Sequence, residues 1–339
     1  MHSIDIPSTD APSIPGLIFR PYQGATDLAA MLAVVIASEC FDGEDNGVSL
    51  ESLQRSYTPS QTFDPHRDTI IAEVAGAIVG YARVRWWSEI NNGPLNYETW
   101  GCLMPEWRRR GIGRAMLRWL ERRAYEMAGG HAGTRVKHVR GFASPAQIGR
   151  IRLLDQHGYQ PIRQSHIMVR PTLEGIPDFP LPDGLEMRPA EPAQFRAIWD
   201  AARDAFLDHW GAGEQTENDY QEWLADPQQM QPALWQIAWD KSTNQVAGQV
   251  RAYINPAENQ RYQRLRGFTE YISVGRPWRR RGLARALIAL SLRVQRAHGM
   301  TESELGVDSA NTSGANRVYT DCGFQVVKMH TTYQKRIVG

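Results

Sequence analysis

Pro105-Glu-Trp-Arg-Arg-Arg-Gly-Ile-Gly-Arg-Ala115 recurs 171 positions later as Arg276-Pro-Trp-Arg-Arg-Arg-Gly-Leu-Ala-Arg-Ala286. An offset close to half of a 339-residue chain is what tandem duplication of one domain produces. The length agrees, because domains usually run to roughly 100–200 residues.

Between the copies lies Pro171-Thr-Leu-Glu-Gly-Ile-Pro-Asp-Phe-Pro-Leu-Pro-Asp-Gly184, whose prolines forbid a continuous helix or central strand. The expected organisation is a first domain over 1–170, a linker over 171–184 and a second domain over 185–339. Leu17-Ile-Phe-Arg-Pro-Tyr and Leu185-Glu-Met-Arg-Pro-Ala open the two halves alike, each as a first strand.

Outward from the second motif, the pattern predicts a strand (185–188), a helix (about 192–207), a helical stretch (217–224) and a hairpin with arms 234–239 and 245–253. A strand over 267–274 runs into the arginines. Ala286, Leu287, Leu290 and Val294 keep the spacing of an amphipathic helix from Leu283 to near Gly299. A strand (302–307), a short helix (Thr312 to Cys322) and two last strands follow. The first half repeats this order, its post-motif helix marked by Ile112, Ala115, Met116, Trp119 and Leu120. Strict strand–helix alternation is absent, so the fold class is α+β: two tandem α/β three-layer units with mixed, mostly antiparallel sheets.

A strand that ends in an Arg-Gly loop and opens into a helix aims unpaired N–H groups and the positive end of a helix dipole at one point, which suits phosphate. Gly111 and Gly282 admit an anion where a Cβ would collide, Gly113 and Ala284 keep the first turn open, and the arginines add charge-assisted hydrogen bonds. A surface Arg run is ordinarily a solvated face. This one stands twice at a strand-to-helix junction, each time before an apolar-striped helix. The order matches neither a Walker A loop nor a GxGxxG loop.

Arg108-Arg-Arg-Gly-Ile-Gly113 and Arg279-Arg-Arg-Gly-Leu-Ala284 resemble the R/Q-x-x-G-x-G/A signature of the GCN5-related N-acetyltransferases. Val307-Asp-Ser-Ala-Asn311 and Tyr319-Thr-Asp-Cys-Gly-Phe324 are similar to that family's downstream pattern. The resemblance covers nearly the whole chain outside the extreme N-terminus and the linker, and the tandem arrangement is similar to the mycothiol synthase branch. It implies two GNAT-like acyl-CoA N-acyltransferase domains with acetyl-CoA as co-substrate. It assigns cofactor binding to Arg108, Arg109, Arg110, Gly111, Ile112 and Gly113, and to Val274, Arg279, Arg280, Arg281, Gly282, Leu283, Ala284 and Asn311. It also implies an oxyanion donor in the backbone N–H near Val274, where the strand splays.

Acetyl transfer to an amine needs a base, because an alkyl amine with a pKa near 10 is protonated at neutral pH, and an acid for the departing thiolate. Glu270, nine residues before Arg279, is the expected base; the plainer reading is a strand Glu paired with an arginine. Tyr319 is the expected acid; the plainer reading is a packing residue beside Ala315, Val318 and Cys322. In the first half Leu154 stands opposite Tyr319, Ser144-Pro-Ala-Gln replaces the Asn, and Glu98 is one residue out of register with Glu270. The C-terminal domain is therefore expected to be catalytic, and the N-terminal one to bind coenzyme A weakly or to be structural.

Lys plus Arg (38) nearly cancels Asp plus Glu (37), which gives no case for a nucleic-acid or membrane-surface partner. Three cysteines and nine histidines show no disulfide framework or metal spacing. The N-terminus lacks a signal pattern and the longest apolar run is Leu28 to Ala37, so a cytoplasmic location is expected, with the oligomeric state left open. The expected acceptor is a primary amine of a small molecule or peptide N-terminus. Asp204-Ala-Phe-Leu-Asp-His-Trp-Gly211 and Phe41-Asp-Gly-Glu-Asp-Asn-Gly47 are the acidic segments that could meet it, or ordinary helix ends. The competing class is a non-catalytic acyl-CoA sensor or interaction module.

Overall fold

A computed structural model describes residues 4, 6–7, 10–45, 47–311 and 314–338. Thr312, the expected start of the short helix, lies outside them. The chain folds as two units, one comprising 1–163 with 330–339 and the other 164–329.

The first unit holds β1 (Leu17–Pro21), α1 (Ala25–Asp42), α2 (Leu50–Ser56), α3 (Pro65–Asp68), β2 (Thr69–Val74), β3 (Ala77–Ser88), β4 (Leu95–Leu103), α4 (Ile112–Gly130), β5 (Lys137–Ala143), α5 (Ile148–Gln156) and the start of β6 (Gln160–Arg170). Its sheet runs β1-β2-β3-β4-β5 and is completed by residues 331–336, antiparallel to β5 from Thr331↔Ala143 to Arg336↔His138. The second unit holds the rest of β6, β7 (Leu185–Arg188), α6 (Phe195–Phe206), α7 (Glu217–Ala225), β8 (Gln236–Asp240), β9 (Val246–Val250), β10 (Tyr253–Ile254), α8 (Pro256–Tyr262), β11 (Arg266–Phe268), β12 (Ser273–Val274), α9 (Leu283–Ala297), β13 (Glu302–Asp308), α10 (Ala315–Asp321) and the start of β14 (Gln325–Arg336). Residues 165–170 of β6 pair there with β13.

These boundaries differ from the expected 170 and 185. The larger part of each half's last strand, 164–170 of β6 and 330–336 of β14, is counted with the other unit, and the Pro-rich stretch is no spacer: Leu173 is 2% exposed, and Ile176, Phe179 and Leu181 pack on the second unit's core. Proline stops a helix without stopping the apolar residues between prolines from being buried. The two last strands expected are one, because Gln325 to Arg336 contains no Gly, Pro, Asn or Asp to turn the chain.

Both units are three-layered because their sheets are covered on both faces. In β2, Ile70 and Ala72 join Ile112, Met116 and Leu120 of α4, while Ile71 joins Met31 and Val34 of α1. In β8, Ala238 joins Leu283 and Leu287 of α9, while Ile237 and Trp239 join Ile198, Trp199 and Trp223 of α6 and α7. Full burial of a side chain such as Leu287 stabilises by about 1.5–3 kcal/mol.

One difference from the expected elements builds the site. The strand anticipated over 267–274 is broken into β11 and β12. β11 runs parallel to β13 and antiparallel to β10, whereas β12 pairs with β9. From Gln249↔Ser273 to Tyr253↔Phe268 there are four steps on one side and five on the other. Arg251 therefore faces both Glu270 and Tyr271 across a β-bulge. Its N–H donates to Glu270 O at 2.9 Å, and Tyr271 has φ +50°. The bulge turns β12 towards β9 and opens a gap beside β13. β4 of the first unit pairs with β3 without a shift from Gly80↔Leu103 to Ser88↔Leu95.

Candidate active site

At the end of β12 the chain makes a turn of 3-10 helix and enters α9 through the arginines. Arg280 (φ 64°) and Gly282 (φ 87°) are left-handed, as are Arg109 (φ 65°) and Gly111 (φ 91°), so one loop conformation is built twice. No side chain caps α9 and no acid lies in its first turn. Its first backbone bond runs from Ala286 N–H to Gly282 O at 3.2 Å, which leaves the earlier amides pointing out of the loop. Leu283 and Ile112, 1% and 0% exposed, anchor the helix starts in the cores, while Ala284 and Gly113 keep the first turns small.

The arginines are not equivalent. Arg279 donates to Val274 O (3.0 Å), Ala205 O (3.2 Å) and Asp208 (2.9 Å), tying the strand end to the end of α6. Arg108 does the same with Leu103 O (3.4 Å), Ser38 Oγ (2.7 Å) and Asp42 (2.6 Å). Arg281 donates to Asp183 O at 2.8 Å, and Arg110 lies over the Trp107 ring. Arg109 and Arg280 are exposed and have no ion pair or hydrogen bond among the described residues. Elsewhere the basic runs are neutralised within the fold, as in Arg123–Asp68, Arg122–Asp10 and Arg293–Asp178. In the segment expected to meet an amine, Asp208 is already committed: hydrogen bonds from Arg276 and Arg279 hold its carboxyl well below the usual range.

Glu270 sits on the bulge, its Oε1 accepting from Gly306 N–H of β13 at 3.2 Å across the gap. Burial raises its pKa to about 7, with the Glu304 charge adding to the rise. Tyr319 of α10 is 7% exposed among Val307, Cys322 and Phe324. Desolvation, then the field of Glu270, pushes its phenol up, so the two groups sense each other. Arg170 holds that helix by donating to Cys322 O at 2.5 Å. Val274 ends β12, and Asn311 follows β13 with its N–H on Asp308 O at 3.1 Å.

The first unit departs from this plan. Leu154 is 2% exposed in the core, and Glu98 pairs with Arg85 at 2.9 Å. β4 and β5 pair only as far as Glu98↔Arg140. Just beyond, Arg150 of α5 donates to Gly101 O (2.7 Å) and Thr99 O (3.4 Å), filling the gap with its guanidinium. Arg150 stands four residues before Leu154, as Ala315 stands four before Tyr319, so the second unit has a methyl group at that place. A Cβ on Gly111 would lie 3.0 Å from Pro12, whereas one on Gly282 would meet nothing within 4 Å. Sequence reasoning missed this plug; its signal was arginine against alanine at matched positions.

Among the described residues no group of His, Cys, Asp and Glu is arranged to hold a metal, and no helix is long and apolar enough to cross a membrane. The model of the Acetyltransferase (GNAT) family matches residues 35–158 and 195–324. A mycothiol acetyltransferase of Geodermatophilus obscurus is 28% identical over 263 residues, 76% of this chain and 79% of the relative. One from Salinispora tropica is 28% identical over 277 residues, covering 80% and 83%. In structure, a GCN5-related N-acetyltransferase from Sphaerobacter thermophilus aligns with a TM-score of 0.73 at 24% identity, covering 95% of this chain and 96% of that one. A tandem GNAT protein from the clavulanic acid biosynthesis pathway aligns with a TM-score of 0.67 at 16% identity, covering 94% and 98%.

Proposed function

The chain belongs to the acetyltransferase (GNAT) family, and on that premise we propose that its second unit moves the acetyl group of acetyl-CoA to a primary amine of a small molecule or peptide N-terminus. Glu270, poised near neutrality, takes the ammonium proton directly or through water. The free amine attacks the thioester carbonyl, and the backbone N–H near Val274 receives the oxyanion. As the C–S bond breaks, Tyr319 gives its proton to the thiolate and the acylated nitrogen gives up its extra proton to the Tyr319 phenolate, leaving the amide, free coenzyme A and a protonated Glu270 that returns its proton to solvent. The amides of the 280–285 loop, with Arg280, hold the pyrophosphate, and Arg279 shapes the loop rather than contacting it.

The observation that carries this reading is that Glu270 accepts from Gly306 N–H across a strand gap, its charge reaches Tyr319, and a Cβ on Gly282 would meet nothing, a combination that among the described residues the first unit lacks. In the first unit Arg150 and Pro12 occupy the corresponding places. Titration calorimetry with acetyl-CoA tests it. One equivalent per chain is expected, lost in Gly282→Glu and retained in Gly111→Glu. Two equivalents, or loss in Gly111→Glu alone, would contradict the assignment. A screen for the acceptor starts with amines related to mycothiol, the compound in the name of the two mycothiol acetyltransferases to which the chain is similar.

A further inference from the structure

Arg251 is 3% exposed, yet its Nε and Nη1 have no hydrogen-bond partner. Among the described residues no other side chain leaves two buried polar atoms unpaired. Its guanidinium lies over the rings of Trp223 (4.9 Å) and Tyr271 (4.1 Å), and among the described residues no carboxylate pairs with it. Burial lowers its pKa only to about 10, so it is charged at neutral pH. Stacked rings stabilise the charge but accept no ordinary N–H bond, and a buried cation with unmet donors is costly to keep.

The position gives that cost a use. Arg251 faces the bulge that carries Glu270 and Tyr271, and its side chain reaches Trp223 of α7, on the sheet face covered by α6 and α7. A group held there lies one strand from the proposed base. Gln249, two residues earlier, donates its amide to Ile198 O of α6 at 2.8 Å and leaves only its Oε1, an acceptor, without a partner.

We propose that Arg251 receives an anionic group of the acceptor, so that the substrate is an amine that also carries a carboxylate or phosphate. The proposal rests on the acetyl-transfer reading and narrows it to a substrate class. The shared chemistry is an oxyanion that accepts from a guanidinium, for which arginine is better suited than lysine.

The test uses the full chain and matched amines: an amino acid, its carboxamide, the corresponding amine without the acid, and an aminoalkyl phosphate. Wild type is expected to favour the carboxylate or the phosphate member over its neutral partners by roughly tenfold or more in kcat/KM, as a charge-assisted hydrogen bond gives. The better of the two names the group. Arg251→Met is expected to erase the preference, and Arg251→Lys to restore part of it. Equal turnover of anionic and neutral amines by wild type would overturn the proposal, as would an intact preference in Arg251→Met. If Arg251→Met does not fold, wild-type selectivity decides alone. If no amine is acetylated, the acetyl-transfer reading is what fails. Calorimetric binding of the same amines then judges Arg251 separately: binding of the anionic members alone supports it, and no binding of any anion overturns it.

Discussion

Glu270 and Tyr319 draw their proposed chemistry from burial. A carboxyl whose pKa is about 7 is half-ionised at neutral pH and accepts a proton from an amine far better than an ordinary surface carboxylate. Since the base works only when deprotonated, kcat/KM is expected to fall as pH drops below about 7. Glu270→Gln should abolish that limb and lower kcat/KM by on the order of 10²-fold. Stability carries the opposite sign. The folded pKa lies above the unfolded one, so wild type loses stability as pH rises from 4.5 to about 7. Allowing for the side chain's partial exposure, Glu270→Gln should be more stable than wild type by about 1–3 kcal/mol at pH 8 and no more stable at pH 4, in urea titrations at both pH values. Tyr319→Phe should lower kcat by on the order of 10²-fold with acetyl-CoA affinity unchanged. Both candidates were named from the resemblance at Tyr-x-x-x-Gly-Phe and from the distance of Glu270 to the motif. Their environment was not legible there, because it is made by β13 and α10 closing over the gap.

At the scale of elements, the duplicated loop divides labour that the sequence writes as three identical letters. Arg108 and Arg279 brace a strand end to a helix end through Asp42 and Asp208, whereas Arg109 and Arg280 are exposed at left-handed positions. Arg280→Ala should weaken acetyl-CoA binding by roughly tenfold without moving the Tm, and Arg279→Ala should lower the Tm as well. Comparing calorimetric affinity with thermal melts separates the two roles. The loop and α9 were legible in the sequence because glycine at positive φ and a 3.6-residue apolar period are local signals. The bulge was not, since one extra residue opposite Arg251 changes the pairing without changing the alternation along Gly267 to Val274. Helix α8 was missed although Asn255-Pro256 is a start signal, with Asn255 Oδ1 accepting from Glu258 N–H at 3.2 Å.

For the whole molecule, the repeat of WRRRG was enough to find two units of one fold. It was not enough to divide the chain, because β6 and β14 are extended segments of similar pattern and only their partners tell them apart. Residues 331–336 cover the free side of β5, and Tyr333 there is 9% exposed. A fragment ending at residue 170 would leave β5 as an unpaired edge and is expected to aggregate, whereas one carrying 330–339 joined after 163 should stay monodisperse in size-exclusion chromatography. The claim on which the rest depends is that the second unit acetylates an amine rather than only binding the coenzyme. Release of free coenzyme A thiol from acetyl-CoA, followed with a thiol reagent across a panel of amines, tests it most directly. Amine-dependent release by the wild-type chain is expected, with its loss in both Glu270→Gln and Tyr319→Phe. Tight acetyl-CoA binding with no amine-dependent release, or undiminished release in both variants, would contradict it.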